Sequence, residues 1–242
     1  MGDQSILLRQ YDSWFDSAGL KGFLARKLFG TFGLWVASTP LVRLPEELSL
    51  TPQTIHLDIG SGTGALARHL SLRTGGSTAP VLIDFSLSAL KIGRQNEPLE
   101  KPAKTITPHL LQATATDLPL KTATFTLITC GYVAKHLDKT DLLKLFSEAY
   151  RVLAPGGLFL LWEFGPSGNK KLDRWNSFVL SRYVSKPILR STETLQELAE
   201  SVGFDFYEDA RLRPFLFPPI PRASILTGKP PDGIELPDRL RN

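Results

Sequence analysis

Between residues 54 and 163 the chain alternates short apolar runs with segments of helical period, and this alternation restricts its possible folds more than any other feature. Thr54–Ile59, Pro80–Asp84, His109–Ala113, Phe125–Cys130 and Leu158–Glu163 read as strands. Thr63–Leu72, Leu87–Asn96 and Lys139–Leu153 read as helices, and in the last Leu142, Leu145, Phe146, Ala149 and Leu153 share one face. Pro155-Gly156-Gly157 then breaks the pattern. Strand–helix–strand units of this length call for a parallel sheet, and right-handed crossovers put helices on both its faces. The expectation is a doubly wound α/β sheet. Further on, Trp175, Phe178, Leu180 and Tyr183 mark a helix-like segment. Thr192–Val202 predicts a helix capped by Ser191 or Thr192 and stopped by Gly203. Phe204–Leu212 and Ala223–Gly228 predict two closing strands, joined by a proline-rich connection.

The first 52 residues differ in kind. Tyr11, Trp14, Phe15, Phe23, Phe29, Phe32 and Trp35 crowd into short helical segments broken near Gly19, Gly33 and Pro40. Residues 1–52 are expected to form a helical cap over a main domain of 53–242, with 166–190 as a second cap segment. With 42% apolar and 21% charged residues, the chain is globular rather than disordered. Its 28 basic and 24 acidic residues are scattered, so no focused patch predicts a specific nucleic-acid partner. The single cysteine, Cys130, excludes an internal disulfide framework, and the four histidines show no metal-ligand spacing, so no metal site is expected. The start lacks a signal-peptide pattern, and the longest uncharged run, Leu28–Val42, is too short and broken to span a bilayer. These features predict a cytoplasmic protein.

HLDIGSGTGALARHL, residues 56–70, places Gly60, Gly62 and Gly64 between a strand and a helix. Such a turn allows close backbone approach to a ligand, but it also fits G-x-G-x-x-A through Ala65 and is weak alone. Three carboxylates sharpen it. Asp58 precedes the loop, where it attracts a ligand amine and repels a pyrophosphate. Asp84 ends the second strand, where a carboxylate accepts ribose hydroxyls. In Thr116-Asp117-Leu118-Pro119, Asp117 can accept from an adenine amine, with Phe85 and Leu118 over the ring faces.

LDIGSGTG (57–64), VLIDFS (81–86), ATDLPL (115–120), FTLITCGYVAKHL (125–137), YRVLAPGGLFLLWEF (150–164) and the Gly203-Phe204 helix end together resemble the class I S-adenosylmethionine-dependent methyltransferases, of the small-molecule type that includes the ubiquinone/menaquinone enzymes. The likeness covers residues 54–210. It implies a Rossmann-like seven-stranded sheet in the order 3-2-1-4-5-7-6 with the last strand antiparallel. It also implies S-adenosyl-L-methionine as cofactor. Asp58, Gly60, Ser61, Gly62 and Gly64 would hold the methionine part and Asp84 the ribose. Phe85, Thr116, Asp117 and Leu118 would surround the adenine, and Cys130 would be a small strand-end contact. One departure is Thr126, where the family often has Asp after the phenylalanine.

Methyl transfer from a sulfonium is an in-line displacement, so positioning and desolvation carry much of the catalysis. The acceptor is expected beyond the fourth strand, where Tyr132 can line the methyl path and His136 is the available histidine base; both also fit structural roles. The aromatic cap points to a small apolar or aromatic acceptor, and Lys21, Arg26 and Lys27 among apolar neighbours allow contact with a membrane surface or a lipid-like substrate. A non-catalytic nucleotide-binding or assembly protein and an NAD-dependent oxidoreductase are the alternatives. No N-P-P-Y follows the fourth strand, which disfavours DNA amine methylation.

Overall fold

The computed structural model describes residue 48 and residues 50–75, 77–95, 106–181, 187–205, 207–208, 215–216 and 219–231. The aromatic segment 1–47, including the basic stretch 21–35, and Tyr183 lie outside the described residues.

From residue 56 the order is β1 (His56–Ile59), α1 (Ala65–Thr74), β2 (Val81–Asp84), α2 (Leu87–Gln95), β3 (His109–Gln112), β4 (Phe125–Gly131), α3 (Lys139–Val152) and β5 (Leu153–Phe164). Then come α4 (Lys170–Leu180), α5 (Thr192–Glu200), β6 (Tyr207–Glu208), β7 (Phe215–Leu216), β8 (Pro219–Ile220) and β9 (Arg222–Gly228). Seven strands form one sheet in the order β3-β2-β1-β4-β5-β9-β6. β1 to β5 run parallel, and β9 runs antiparallel to both β5 and β6. The expected order therefore holds. The addition is a small β7–β8 hairpin, which lies within the proline-rich stretch read as a connection.

Period-two alternation divides the sheet's side chains between two layers. Leu57, Ile59, Ile128 and Leu161 pack with Leu142, Leu145, Phe146 and Ala149 of α3. Leu127, Leu160 and Trp162 pack with Leu66 and Leu70 of α1. Burying each of the leucine, isoleucine and phenylalanine side chains contributes roughly 1.5–3 kcal/mol. Asp138 caps α3, accepting from Asp141 N at 2.8 Å, and Ser191 caps α5, accepting from Thr194 N at 3.3 Å.

Two boundaries correct the sequence reading. Pro155-Gly156-Gly157 lies inside β5 rather than before it: Phe125 pairs with Leu153, then Leu127 with Leu158, so the intervening residues bulge. The expected strand 204–212 starts later, since Phe204 and Asp205 lie outside any strand and Tyr207–Glu208 pair with β9; residues 206 and 209–212 lie outside the described residues.

Candidate functional site

The parallel strands deliver their ligand-competent residues to one edge of the sheet, beyond their C-terminal ends. There the Gly60–Gly64 loop is folded inward. The amides of Gly60 and Ser61 donate to Ile83 O at 2.8 and 2.9 Å, and Gly64 N donates to Ser61 O at 2.8 Å. Gly62 N donates to Asp84 Oδ2 and Ser86 N to Asp84 Oδ1, both at 2.8 Å. Glycine is required at both ends of the loop. Gly60 and Gly64 have φ of +70° and +72°, and a Cβ there would lie 2.1 Å from Val133 Cγ2 and 2.2 Å from Leu82 Cδ1.

Asp58 lies beneath this loop. It is buried and accepts from Thr129 Oγ1 at 2.7 Å; Thr129 Oγ1 also meets His56 Nε2 at 2.8 Å. Thr129 has one proton and gives it to Asp58, so Nε2 of His56 is the donor in the second contact. Burial raises Asp58 to a pKa of about 7, against the Thr129 hydrogen bond and with help from the Asp84 charge. Burial lowers His56 to about 3, so its ring is neutral. The sequence reading assigned His56 and Thr129 no part here. Nothing local pairs them, since the two residues are 73 positions apart in the chain.

The loop chemistry tests which cofactor fits. Four of its amides are bound within the protein, and two carboxylates flank it. A pyrophosphate would find few donors and meet like charge. S-adenosylmethionine fits: its sulfonium and amine are cationic and suit a loop flanked by two carboxylates. Of the residues expected around an adenine, Phe85, just after β2, is exposed. Asp117 is exposed and Thr116 half-buried in the turn after β3. Leu118 differs from expectation: it is buried among core residues, and its amide donates to Glu148 Oε2 at 2.8 Å. Arg151 completes this clamp, donating to the carbonyls of Leu118 and Leu120 at 2.8 Å. Cys130 is wholly buried in the α3-side layer, and burial pushes its thiol well up.

Past β4, Tyr132 adopts φ +59°, uncommon for a residue with a side chain. Its amide donates to Trp162 O at 2.9 Å and its carbonyl accepts from Lys135 Nζ. The ring lies 4.7 Å from Phe164 and 6.4 Å from Trp162, with the Arg222 guanidinium 5.9 Å from its centroid. Burial raises the phenol to about 12. Lys135 is itself buried, 3.6 Å from the wholly buried Glu163. Glu163 also accepts from Lys135 N at 2.9 Å and Phe164 N at 2.8 Å. Burial lowers the Lys135 pKa, and the Glu163 charge opposes that shift. Neither residue was foreseen. Glu163 ends an apolar run, but nothing local announces a partner 28 residues away. His136 sits in the 3-10 turn Ala134–His136, and burial, then the Lys135 charge, lowers it to about 3. It is a feeble base at neutral pH.

Among the described residues no helix is long and apolar enough to cross a membrane, and no cluster of His, Cys, Asp or Glu has a metal-binding arrangement.

The family described as "Methyltransferase domain" matches residues 57–161. The ubiquinone/menaquinone biosynthesis C-methyltransferase UbiE of Brucella anthropi is 30% identical over 158 residues, 64% of this chain and 58% of that protein. The UbiE of Legionella pneumophila (strain Corby) is 32% identical over 160 residues, 64% of this chain and 62% of the relative. The match thus spans about six-tenths of these relatives' length. Human N-acetylserotonin methyltransferase, solved with S-adenosylmethionine, shares the fold at a TM-score of 0.63 and 19% identity, over 95% of this chain and 66% of that one. Phosphoethanolamine N-methyltransferase 2 of Haemonchus contortus, also solved with the cofactor, superposes at 0.65 and 17% identity, over 91% and 60%. By matched segment, strand order and motifs together, the chain is similar to the class I S-adenosylmethionine-dependent methyltransferases, and the match to the methyltransferase domain falls on residues 57–161.

Proposed function

We propose that this chain transfers the methyl group of S-adenosylmethionine to a carbon of a small apolar or aromatic acceptor. The observation that carries the cofactor reading is the inward-folded glycine loop closed on Asp84. It offers carboxylates where a dinucleotide would need amides. The carbon acceptor is carried over from the C-methyltransferase activity of the UbiE relatives.

Bound S-adenosylmethionine supplies an activated methyl on sulfur. This chain's residues do the rest. Asp84 holds the ribose hydroxyls while Gly62 N and Ser86 N fix its carboxylate. Asp58 faces the cationic methionine end, and a nearby cation favours its ionised form over the protonated one that burial promotes. Phe85 covers the adenine. Tyr132, held in its unusual conformation by Lys135 and Trp162 O, lines the acceptor side. Aromatic walls around it exclude water from the line of transfer. A carbon acceptor activated by its own ring oxygen needs only to lose a proton afterwards, so no strong base in the chain is required.

The test is calorimetric binding of S-adenosylhomocysteine, with NADH as control and Asp84→Ala as the second sample. The expected result is binding that weakens about tenfold or more in Asp84→Ala, with NADH silent. S-adenosylhomocysteine failing to bind would remove the reading. Binding without transfer of radiolabelled methyl to any of a panel of phenols and hydroquinones would favour a non-catalytic protein on this fold.

A further inference from the structure

Helix α4 follows the C-terminal end of β5, at the acceptor edge, and carries apolar residues that are about half exposed. Asn176 and Leu180 are its buried residues, whereas Trp175 is 57% exposed, Phe178 51% and Leu172 36%. At 100° per residue, Leu172, Trp175 and Phe178 fall within an arc of about 120°. The Trp175 and Phe178 rings lie 5.9 Å apart, forming one surface. Lys170, Lys171 and Arg174 are all exposed; Lys171 falls within that arc, Arg174 about 40° and Lys170 about 80° beyond one edge of it. The helix's one carboxylate, Asp173, is turned back: its Oδ1 accepts from Ser167 N and Ser167 Oγ, both at 2.6 Å.

We propose that α4 is a membrane-docking helix. Its Leu172–Trp175–Phe178 face enters the headgroup layer of an anionic phospholipid bilayer while Lys170, Lys171 and Arg174 meet the lipid phosphates. Charge selects this occupant. An interfacial helix combines an aromatic apolar face with lysine and arginine flanks, and an anionic surface attracts each basic residue. Residues 1–47 carry equal numbers of acidic and basic side chains and so offer these cations no net complement. A second copy docked by two-fold symmetry would oppose the same three cations to themselves. Docking through α4 would bring the acceptor edge to the lipid interface, so an acceptor dissolved in the bilayer could enter without crossing water. That consequence rests on the proposed methyl transfer; the docking itself does not.

The experiment is co-sedimentation of the full chain with vesicles of phosphatidylcholine alone and of phosphatidylcholine with phosphatidylglycerol, read alongside tryptophan emission. The variants are Trp175→Ser/Phe178→Ser and Lys170→Glu/Lys171→Glu/Arg174→Glu. Calorimetry with S-adenosylhomocysteine reports that each variant is folded and tests the cofactor reading separately. The wild type is expected to pellet with anionic vesicles only, with blue-shifted emission. Each variant should lose about tenfold or more of that binding while still taking up the cofactor product. The proposal is overturned if the wild type stays in the supernatant, or if the variants sediment like wild type, which would assign binding to another segment. It is also overturned if light scattering shows a concentration-dependent dimer that the aromatic variant abolishes.

Discussion

The two halves of the sheet edge each hold a carboxylate by backbone amides, but they differ in what surrounds it. On the β1–β2 side, Asp84 is fixed by backbone amides two residues after it and twenty-two before it, and the loop closes on a backbone carbonyl. On the β4–β5 side, the Glu163 carboxylate also accepts from two backbone amides, but its counter-charge and the packing around it come from side chains: the buried Lys135, three rings and an arginine. Amide-held geometry survives changes of side chain elsewhere; side-chain-held geometry changes with every substitution. A binding site for one shared cofactor suits the first arrangement, and a site for a particular acceptor suits the second.

The sharpest way to break this contrast is to remove one member of the buried pair. Glu163→Leu leaves the Lys135 ammonium without its counter-ion and should cost about 3–5 kcal/mol in denaturant unfolding. Lys135→Met with Glu163→Leu should recover much of that, because two apolar groups replace two desolvated charges. If the single and double variants are equally unstable, the pair is not the element that holds this side. Gly64→Ala attacks the other side. Its Cβ meets Leu82 at a φ of +72°, so a loss of about 2–4 kcal/mol is expected from strain and overpacking. S-adenosylhomocysteine binding should fall with it, whereas wild-type affinity would show that the loop's backbone is not what forms the site.

A smaller effect separates the charges by pH. Asp58 is raised from 3.8 to about 7, so the folded protein holds a proton that the unfolded chain has released, and this contribution is lost as pH rises through that window. His56 is lowered from 6.5 to about 3, so its contribution is present above 6.5 and lost as pH falls toward 3. The two slopes oppose each other between about pH 4 and 6.5. Asp58→Asn removes the first, so the variant should gain stability relative to wild type as pH rises from about 4 to about 7. A constant difference across that range would show that Asp58 does not titrate as its burial implies.

The sheet order and the cofactor half were legible in the sequence because both are local. β-Strand period, glycine spacing and a carboxylate at a strand end each fit within a few residues. The misread elements depend on distant partners. The bulge at Pro155–Gly157 exists only because Phe125 pairs with Leu153 across the sheet. Leu118 reads as a ring cover until Glu148 and Arg151, on α3, are seen to pull its backbone down. Lys135 and Glu163 are two isolated charges until β4 and β5 lie side by side.

The sheet also fixes when the chain can finish folding. β9 supplies the partner for Leu158–Phe164, yet it is made only after α4, α5, β6 and the small hairpin. A ribosome that has released residues through α5 therefore displays β5 with one side unpaired, and that side belongs to the apolar run LFLLWEF. Such a strand invites pairing with another nascent chain. The hazard ends only when Arg222–Gly228 clears the exit tunnel and inserts, so synthesis speed between residues 165 and 228 sets how long each molecule is exposed to aggregation.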